Sequence, residues 1–283
     1  MAEAIGLARA MQGRVWPNPP VGCVIVRDGE IVGCGQTQFG GRPHAERVAL
    51  DDAGPLSEGA TLYVTLEPCC HWGKTPPCAD AIIAAGVAKV HASLQDPDPR
   101  VNGGGFRKLR DAGVEVEVGL GAAAAREILE GFFTRIALGR PLITVSRHVS
   151  VAGGIPSVPD GFDGLLTMQG HSELTITERT AGGGIEMVPL AGHLAPNRLA
   201  PSRLASKLGT LGLTSIVVPA GDPLAQMFRS AGLVDHEVAD SEGVNTTPPQ
   251  VASMTSATMN NSERRVNAQI HGTPARSTRM TVS

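Results

Sequence analysis

No cysteine follows residue 78, neither charge sign predominates, and no uninterrupted apolar run approaches the roughly 20 residues of a membrane-spanning helix. Each absence narrows the class of protein. The net charge of -3 and a pI near 6.2 provide no basic field to hold a phosphate backbone, which argues against nucleic acid as a partner. The N-terminus has no basic segment followed by an apolar run and a small-residue cleavage site. Together these absences lead to the expectation of a cytoplasmic protein that meets neither membrane nor nucleic acid.

All five cysteines, Cys23, Cys34, Cys69, Cys70 and Cys78, lie in the first third of the 283 residues. An odd number crowded into one region suits metal ligation better than a disulfide framework. Aromatic residues are also unevenly placed: after Phe162 there is only Phe228. Beyond about Ser241 the chain is Ser, Thr, Asn, Pro and Arg with scattered Met, a composition that predicts a disordered tail over 241–283.

With 42% hydrophobic residues there is material for one large core or two ordinary ones. Helical spacing over 3–12 stops at Pro17-Asn18-Pro19-Pro20. Two β-branched runs, 21–26 and 31–34, flank Asp28-Gly29 and predict a hairpin. Helices are predicted over 44–53, 79–85, 106–112 and 122–138, and strands over 61–66, 87–94 and 114–118. This alternation predicts a layered α/β fold closing near Gly139. From Pro141 to about Asp240 only 142–145 and 215–218 stand out as strands, and Gly153-Gly154 and Gly182-Gly183-Gly184 interrupt the pattern. The expected division is therefore 1–140, 141–240 and the tail.

The chemistry is concentrated in Pro43-His44-Ala45-Glu46, Glu67-Pro68-Cys69 and Pro76-Pro77-Cys78. One imidazole and two thiolates, from His44, Cys69 and Cys78, suit tetrahedral zinc with a fourth position open for water, whose pKa the metal lowers to about 7. Glu46 is then better used as a proton shuttle than as a ligand. Zinc deaminases have this His-x-Glu but place their cysteines in Pro-Cys-x-x-Cys, whereas here Cys69 and Cys78 flank an eight-residue loop. The two prolines closing that loop can open a helix, with Cys78 in its first turn, where free N–H groups favour a thiolate. The alternative for each residue is mundane, an ordinary helix-end histidine and small buried cysteines, but four matched positions together point to the metal site. His71 and Cys70 are not needed to complete it, and Cys23, Cys34 and Gly103-Gly104-Gly105 are expected to be packing and turn residues.

Asn18-Pro19-Pro20-Val21-Gly22, the three segments above with Thr65-Leu66 and Gly73-Lys74-Thr75 included, and Asp96-Pro97-Asp98-Pro99 together resemble the bifunctional riboflavin-biosynthesis family. That family joins a diaminohydroxyphosphoribosylaminopyrimidine deaminase to a 5-amino-6-(5-phosphoribosylamino)uracil reductase. The resemblance covers about the first 140 residues. It implies a cytidine-deaminase-like three-layer α/β/α domain with a mixed sheet, followed by a truncated dihydrofolate-reductase-like α/β remnant. It also implies zinc as cofactor, a pyrimidine nucleotide-like substrate, and substrate contacts from Asn18, Lys74, Asp96 and Asp98. By chemistry alone Asn18 and Asp96 could equally be turn residues, and Lys74 a solvated lysine. The chain departs from the family at Thr37, where a histidine is usual, and at Asp98, where an asparagine is usual.

Pro141-Leu142-Ile143-Thr144-Val145 and Ala231-Gly232-Leu233-Val234-Asp235 resemble an early and a late part of the reductase, but the chain between them is short. Ser146 and Pro219 stand where the family carries a lysine and an acid. NADPH is accordingly expected as a cofactor only if the second half is active. Leu204, Leu208, Leu211 and Leu213 are read as apolar surface for self-association or for packing on the first half. Three readings stay open at this point: the riboflavin-pathway deaminase, a deaminase of another small pyrimidine or pterin-like compound, and a non-catalytic protein stabilised by zinc.

Overall fold

The Asp28-Gly29 signal makes a hairpin of β1 (Gly22–Arg27) and β2 (Glu30–Gln36), and Asp28 and Gly29 take the positive φ that the tight turn requires. In the computed structural model residues 1–73, 75–149, 157–169, 173–179, 185–190 and 200–239 are described. Behind the hairpin, β1 pairs antiparallel with β3 (Thr61–Val64). Then β4 (Lys89–Ala92) and β5 (Glu115–Val118) add in parallel, giving a mixed sheet of order β2-β1-β3-β4-β5.

Helices α1 (Ala2–Ala10), α2 (Ala45–Ala53), α3 (Cys78–Ala84), α4 (Gly104–Asp111) and α5 (Ala122–Leu138) cover this sheet in a three-layer α/β/α arrangement. Its core joins Cys23, Ile25, Leu62, Val64 and Val90 of the strands to Ala49, Ile82, Leu109 and Leu129 of the helices. The parallel strands β3 and β4 end on the same side, and the loops that follow them, 65–77 and 93–103, carry half of the predicted site residues, Cys69, Lys74, Asp96 and Asp98.

A second mixed sheet follows. Strands β6 (Leu142–Ser146) and β10 (Ser215–Pro219), both visible in the sequence, are parallel neighbours with Leu142 opposite Ser215. Strands β7 (Gly164–Gln169), β8 (Glu173–Arg179), β9 (Ile185–Pro189) and β11 (His236–Val238) complete the order β11-β6-β10-β7-β8-β9. Helices α6 (Pro201–Thr210) and α7 (Pro223–Ser230) pack on one face, where Leu204, Leu208, Leu224 and Phe228 meet Ile143, Leu166 and Ile216. This corrects the reading of the leucines as interaction surface. Leu204, Leu208 and Leu213 are buried in this core, and only Leu211 faces solvent.

The chain divides into two units, Met1–Glu242 and Gly243–Ser283. The second, with the tail predicted to be disordered, lies outside the described residues, as do Gly153-Gly154 and Gly182-Gly183-Gly184. Among the described residues no helix is long and apolar enough to cross a membrane.

Candidate metal centre and catalytic site

His44 is the N-cap of α2, but its side chain makes no capping bond. The imidazole turns instead toward two sulfurs, with Nδ1 3.7 Å from Cys69 Sγ and 3.4 Å from Cys78 Sγ. Two ligands at the distances typical of Zn–N and Zn–S bonds and a tetrahedral angle lie about 3.5 Å apart. The observed spacings bracket that value, and one ligand atom from each of the three residues falls within 4.8 Å of the others. The donor set and its spacing therefore fit zinc. His44 Nε2 is buried and makes no hydrogen bond.

Cys69 leaves the end of β3, while Cys78 opens α3 behind the Pro77 N-cap. The Cys78 backbone N–H donates to Cys69 Sγ at 3.3 Å, and the Ala79 N–H to the Cys69 carbonyl at 3.1 Å. The first turn of α3 thus holds Cys69. Its thiol is drawn down to about 4, first by the hydrogen bond with Cys78 and then by His44, against the opposing effect of burial. Cys78 moves upward because its thiol supplies that hydrogen bond and is buried. The sequence reading assigned the thiolate-favouring N–H groups to Cys78; the fold delivers them to Cys69.

Glu46 follows one residue into α2 and is 4% exposed. Burial pushes its carboxyl upward, with the imidazole of His44 pulling the other way. It lines, with His44 and Cys69, a cavity of about 760 Å³. Asn18, Asp96 and Asp98 line the same cavity, and Cys78 joins the group through its sulfur beside His44 and Cys69, so the fold brings together every predicted site residue but Lys74, which lies outside the described residues.

The two departures from the family pattern have local partners. Thr37 Oγ1 donates to the Pro19 carbonyl and accepts from the Val21 N–H, each at 3.0 Å, closing the loop that presents Asn18. Asp98 is gripped through both carboxylate oxygens by Arg100, whose guanidinium holds that carboxyl below its usual range. Asp96, by contrast, is pushed up to about 7 by burial, although it accepts the Asp98 N–H at 2.9 Å.

Sequence reasoning missed Glu67. Its buried carboxylate accepts four backbone N–H bonds: Asp96 at 3.2 Å and Gly103 at 2.9 Å on Oε2, Gly105 at 2.9 Å and Phe106 at 3.1 Å on Oε1. It therefore caps α4 from a distance and ties the Cys69 loop to the Asp96 loop. The approach is so close that a Cβ on Gly105 would lie 2.0 Å from the Pro68 carbonyl oxygen. The available signal was a glycine triplet with no strand before it, since only a glycine at 105 admits Pro68.

Comparison with known proteins agrees with this arrangement. Residues 1–94 match the cytidine and deoxycytidylate deaminase zinc-binding region. The chain is 44% identical over 181 residues to the riboflavin biosynthesis protein RibD of Aquifex aeolicus (64% of this chain, 51% of the relative), and 52% identical over 153 residues to that of Escherichia coli (54% and 42%). It thus spans about half the length of the curated relatives it matches. Among solved structures it is similar to Acinetobacter baumannii RibD, with TM-score 0.63, 28% identity and 83% of each chain covered. It is also similar to a Thermotoga maritima diaminohydroxyphosphoribosylaminopyrimidine deaminase/5-amino-6-(5-phosphoribosylamino)uracil reductase, with TM-score 0.62, 26% identity and 82% of each covered. The fold is therefore a cytidine-deaminase-like domain followed by a second α/β part of the kind seen in those enzymes.

Proposed function

We propose that this chain hydrolytically deaminates 2,5-diamino-6-(5-phosphoribosylamino)pyrimidin-4-one to 5-amino-6-(5-phosphoribosylamino)uracil, the deaminase step named for its relatives. Residues 1–140 form the deaminase half in this reading, and residues 141–240 a shortened reductase-like half. The observation that carries it is the convergence of His44, Cys69 and Cys78 within 4.8 Å beside the buried Glu46.

His44 Nδ1 and the two Sγ atoms would hold zinc, and zinc supplies Lewis-acid chemistry that makes water acidic enough to yield hydroxide near neutral pH. Glu46 moves the protons. A carboxylate oxygen takes one from the attacking water and returns it to the departing ring amine, which leaves as ammonia. The burial that raises its carboxyl is what fits Glu46 to hold that proton between the two steps. Asn18 and Asp96 orient the ring from the cavity wall, and Asp96, at about 7, can donate as well as accept. Asp98 serves as an acceptor already neutralised by Arg100. Lys74 belongs to the same group of contacts by its motif. NADPH enters only if the second half is active, and Ser146 and Pro219, at the ends of β6 and β10, offer it no charged group.

The test is ammonia release from the phosphoribosylaminopyrimidinone by the full chain with its zinc content measured. Glu46→Gln should keep the metal and lose turnover by about 10²–10⁴-fold. Absence of release by fully zinc-loaded wild type would overturn the assignment.

A further inference from the structure

The cavity that holds Glu46 and His44 also holds three arginines, Arg42, Arg100 and Arg135, and they are not equivalent. Arg100 is paired with Asp98, and Arg135 Nε donates to the Gly209 carbonyl at 3.1 Å. Arg42 pairs with no carboxylate among the described residues. It donates once, from Nη1 to Thr75 Oγ1 at 2.6 Å, while Nη2 lies against Gly73, 3.3 Å from where a Cβ would stand. The half-buried Arg42, the residue before Pro43-His44, is thus tied to the loop that ends at Cys78. Among the described residues, most of its five N–H donors have no partner.

The cavity's acids do not answer that charge. Glu67 is taken up by four backbone N–H groups and Asp98 by Arg100, while Glu46 and Asp96 are buried. A planar, permanently charged fork with free donors on the cavity wall matches a phosphate monoester, which it can bind through two parallel N–H···O bonds. We infer that Arg42 is the residue that reads the phosphate of the substrate, making the site selective for phosphorylated over unphosphorylated pyrimidines. This assignment rests on the deaminase reading above and adds a specificity residue to it. The tether to Thr75 aids recognition, because a fork already held in place loses less freedom on binding.

The experiment compares kcat/KM for the phosphoribosyl substrate and for its dephosphorylated form in wild type, Arg42→Gln and Arg42→Lys, each with zinc content and melting temperature recorded. Loss of a charge-assisted bidentate contact should lower the ratio of the two kcat/KM values by about tenfold or more in Arg42→Gln. Arg42→Lys should fall between the two, because it keeps the charge and loses the fork. A ratio unchanged in Arg42→Gln would overturn the inference, since a merely structural defect lowers both activities together. If fully metallated wild type releases ammonia from neither compound, the deaminase reading fails, and calorimetry with ribose 5-phosphate on the full chain decides about Arg42. Binding weakened about tenfold or more by Arg42→Gln supports the anion site; equal binding, or none by wild type, refutes it.

Discussion

Replacing Glu67 by glutamine changes no volume and removes no side-chain contact, so its effect isolates one thing: what four converging backbone N–H groups require of their acceptor. Each carboxylate oxygen accepts two of them. A glutamine keeps one oxygen and turns an NH₂ toward the other pair, so whichever way the amide flips, two buried N–H groups lose their acceptor. At about 1–3 kcal/mol for each buried donor left unsatisfied, the cost is about 2–6 kcal/mol. Removing the negative charge from the N-terminus of α4 adds about 0.3–1 kcal/mol. This is a large part of the 5–15 kcal/mol typical of a folded domain.

Urea denaturation of the zinc-loaded chain measures it, with Glu117→Gln as the contrast. Glu117 also accepts a hydrogen bond, from Lys89 at 2.7 Å, but its side chain is 55% exposed, and a solvent-screened pair of this kind contributes little to stability. Zinc should also dissociate more readily from Glu67→Gln, because Cys69 lies two residues along the loop that Glu67 anchors. A destabilisation no larger than that of Glu117→Gln would refute the claim that this carboxylate ties the two site loops together.

Two further outcomes follow from the second half. Burial pushes Asp163 up to about 6, although it accepts bonds from the Thr214 N–H and hydroxyl and the Ser215 N–H. The folded state thus holds its proton more tightly than the unfolded chain does. Stability from this group is complete below about pH 4 and is lost as pH rises through about 6, a decline of about 3 kcal/mol. The stability difference between wild type and Asp163→Asn should therefore shift by that amount between pH 4 and 7; a difference flat with pH would contradict the assignment. Gly131 sits inside α5, where alanine usually gains about 0.5–1 kcal/mol. Here a Cβ would meet the Thr214 carbonyl oxygen at 2.8 Å and Ser215 Cβ at 3.0 Å, so Gly131→Ala should instead destabilise by about 1–3 kcal/mol. A rise in melting temperature would show that α5 and β10 are not in the contact described.

What was legible in the sequence was whatever is encoded by local pattern. The hairpin at Asp28-Gly29, the helix behind His44 and the strands 61–66 and 87–94 follow from turn chemistry and periodicity, although β3 and β4 end two residues sooner than read. The clustering of His44, Cys69 and Cys78 was legible because the chemistry that suggested it lies in their side chains. The role of Glu67 was not, since its four partners are backbone groups brought together only by the fold. Strands β7 and β8 escaped notice because their buried positions include Thr167, Thr175 and Thr177, which break the apolar alternation that marks a strand. The α6 leucines looked like free surface because the strands that cover them are distant in sequence: β6 (Leu142–Ser146) and β7 (Gly164–Gln169) lie well upstream of the helix (Pro201–Thr210), and β10 (Ser215–Pro219) follows it.

The second sheet bears on the cavity beside His44, Glu46 and Cys69 whether or not it performs chemistry of its own. Helix α5 contributes Phe132, Arg135 and Ile136 to the cavity wall. Its position is set from the far side, through Gly131 against Thr214 and Ser215 and through Arg135 bonded to the Gly209 carbonyl. The opposite wall, the loop carrying Asn18, is backed in the same way: Trp16 packs on the second core, and Pro17 lies 3.0 Å from where a Cβ on Gly212 would stand. Two walls of the cavity thus rest on residues 209–215. Whatever else the second sheet does, β10 and the turn before it keep Asn18 and α5 in register, and shifts of about 1 Å in positioning groups cost on the order of 100-fold in rate. Displacing residues 209–215 should therefore disturb the cavity through both α5 and the Asn18 loop.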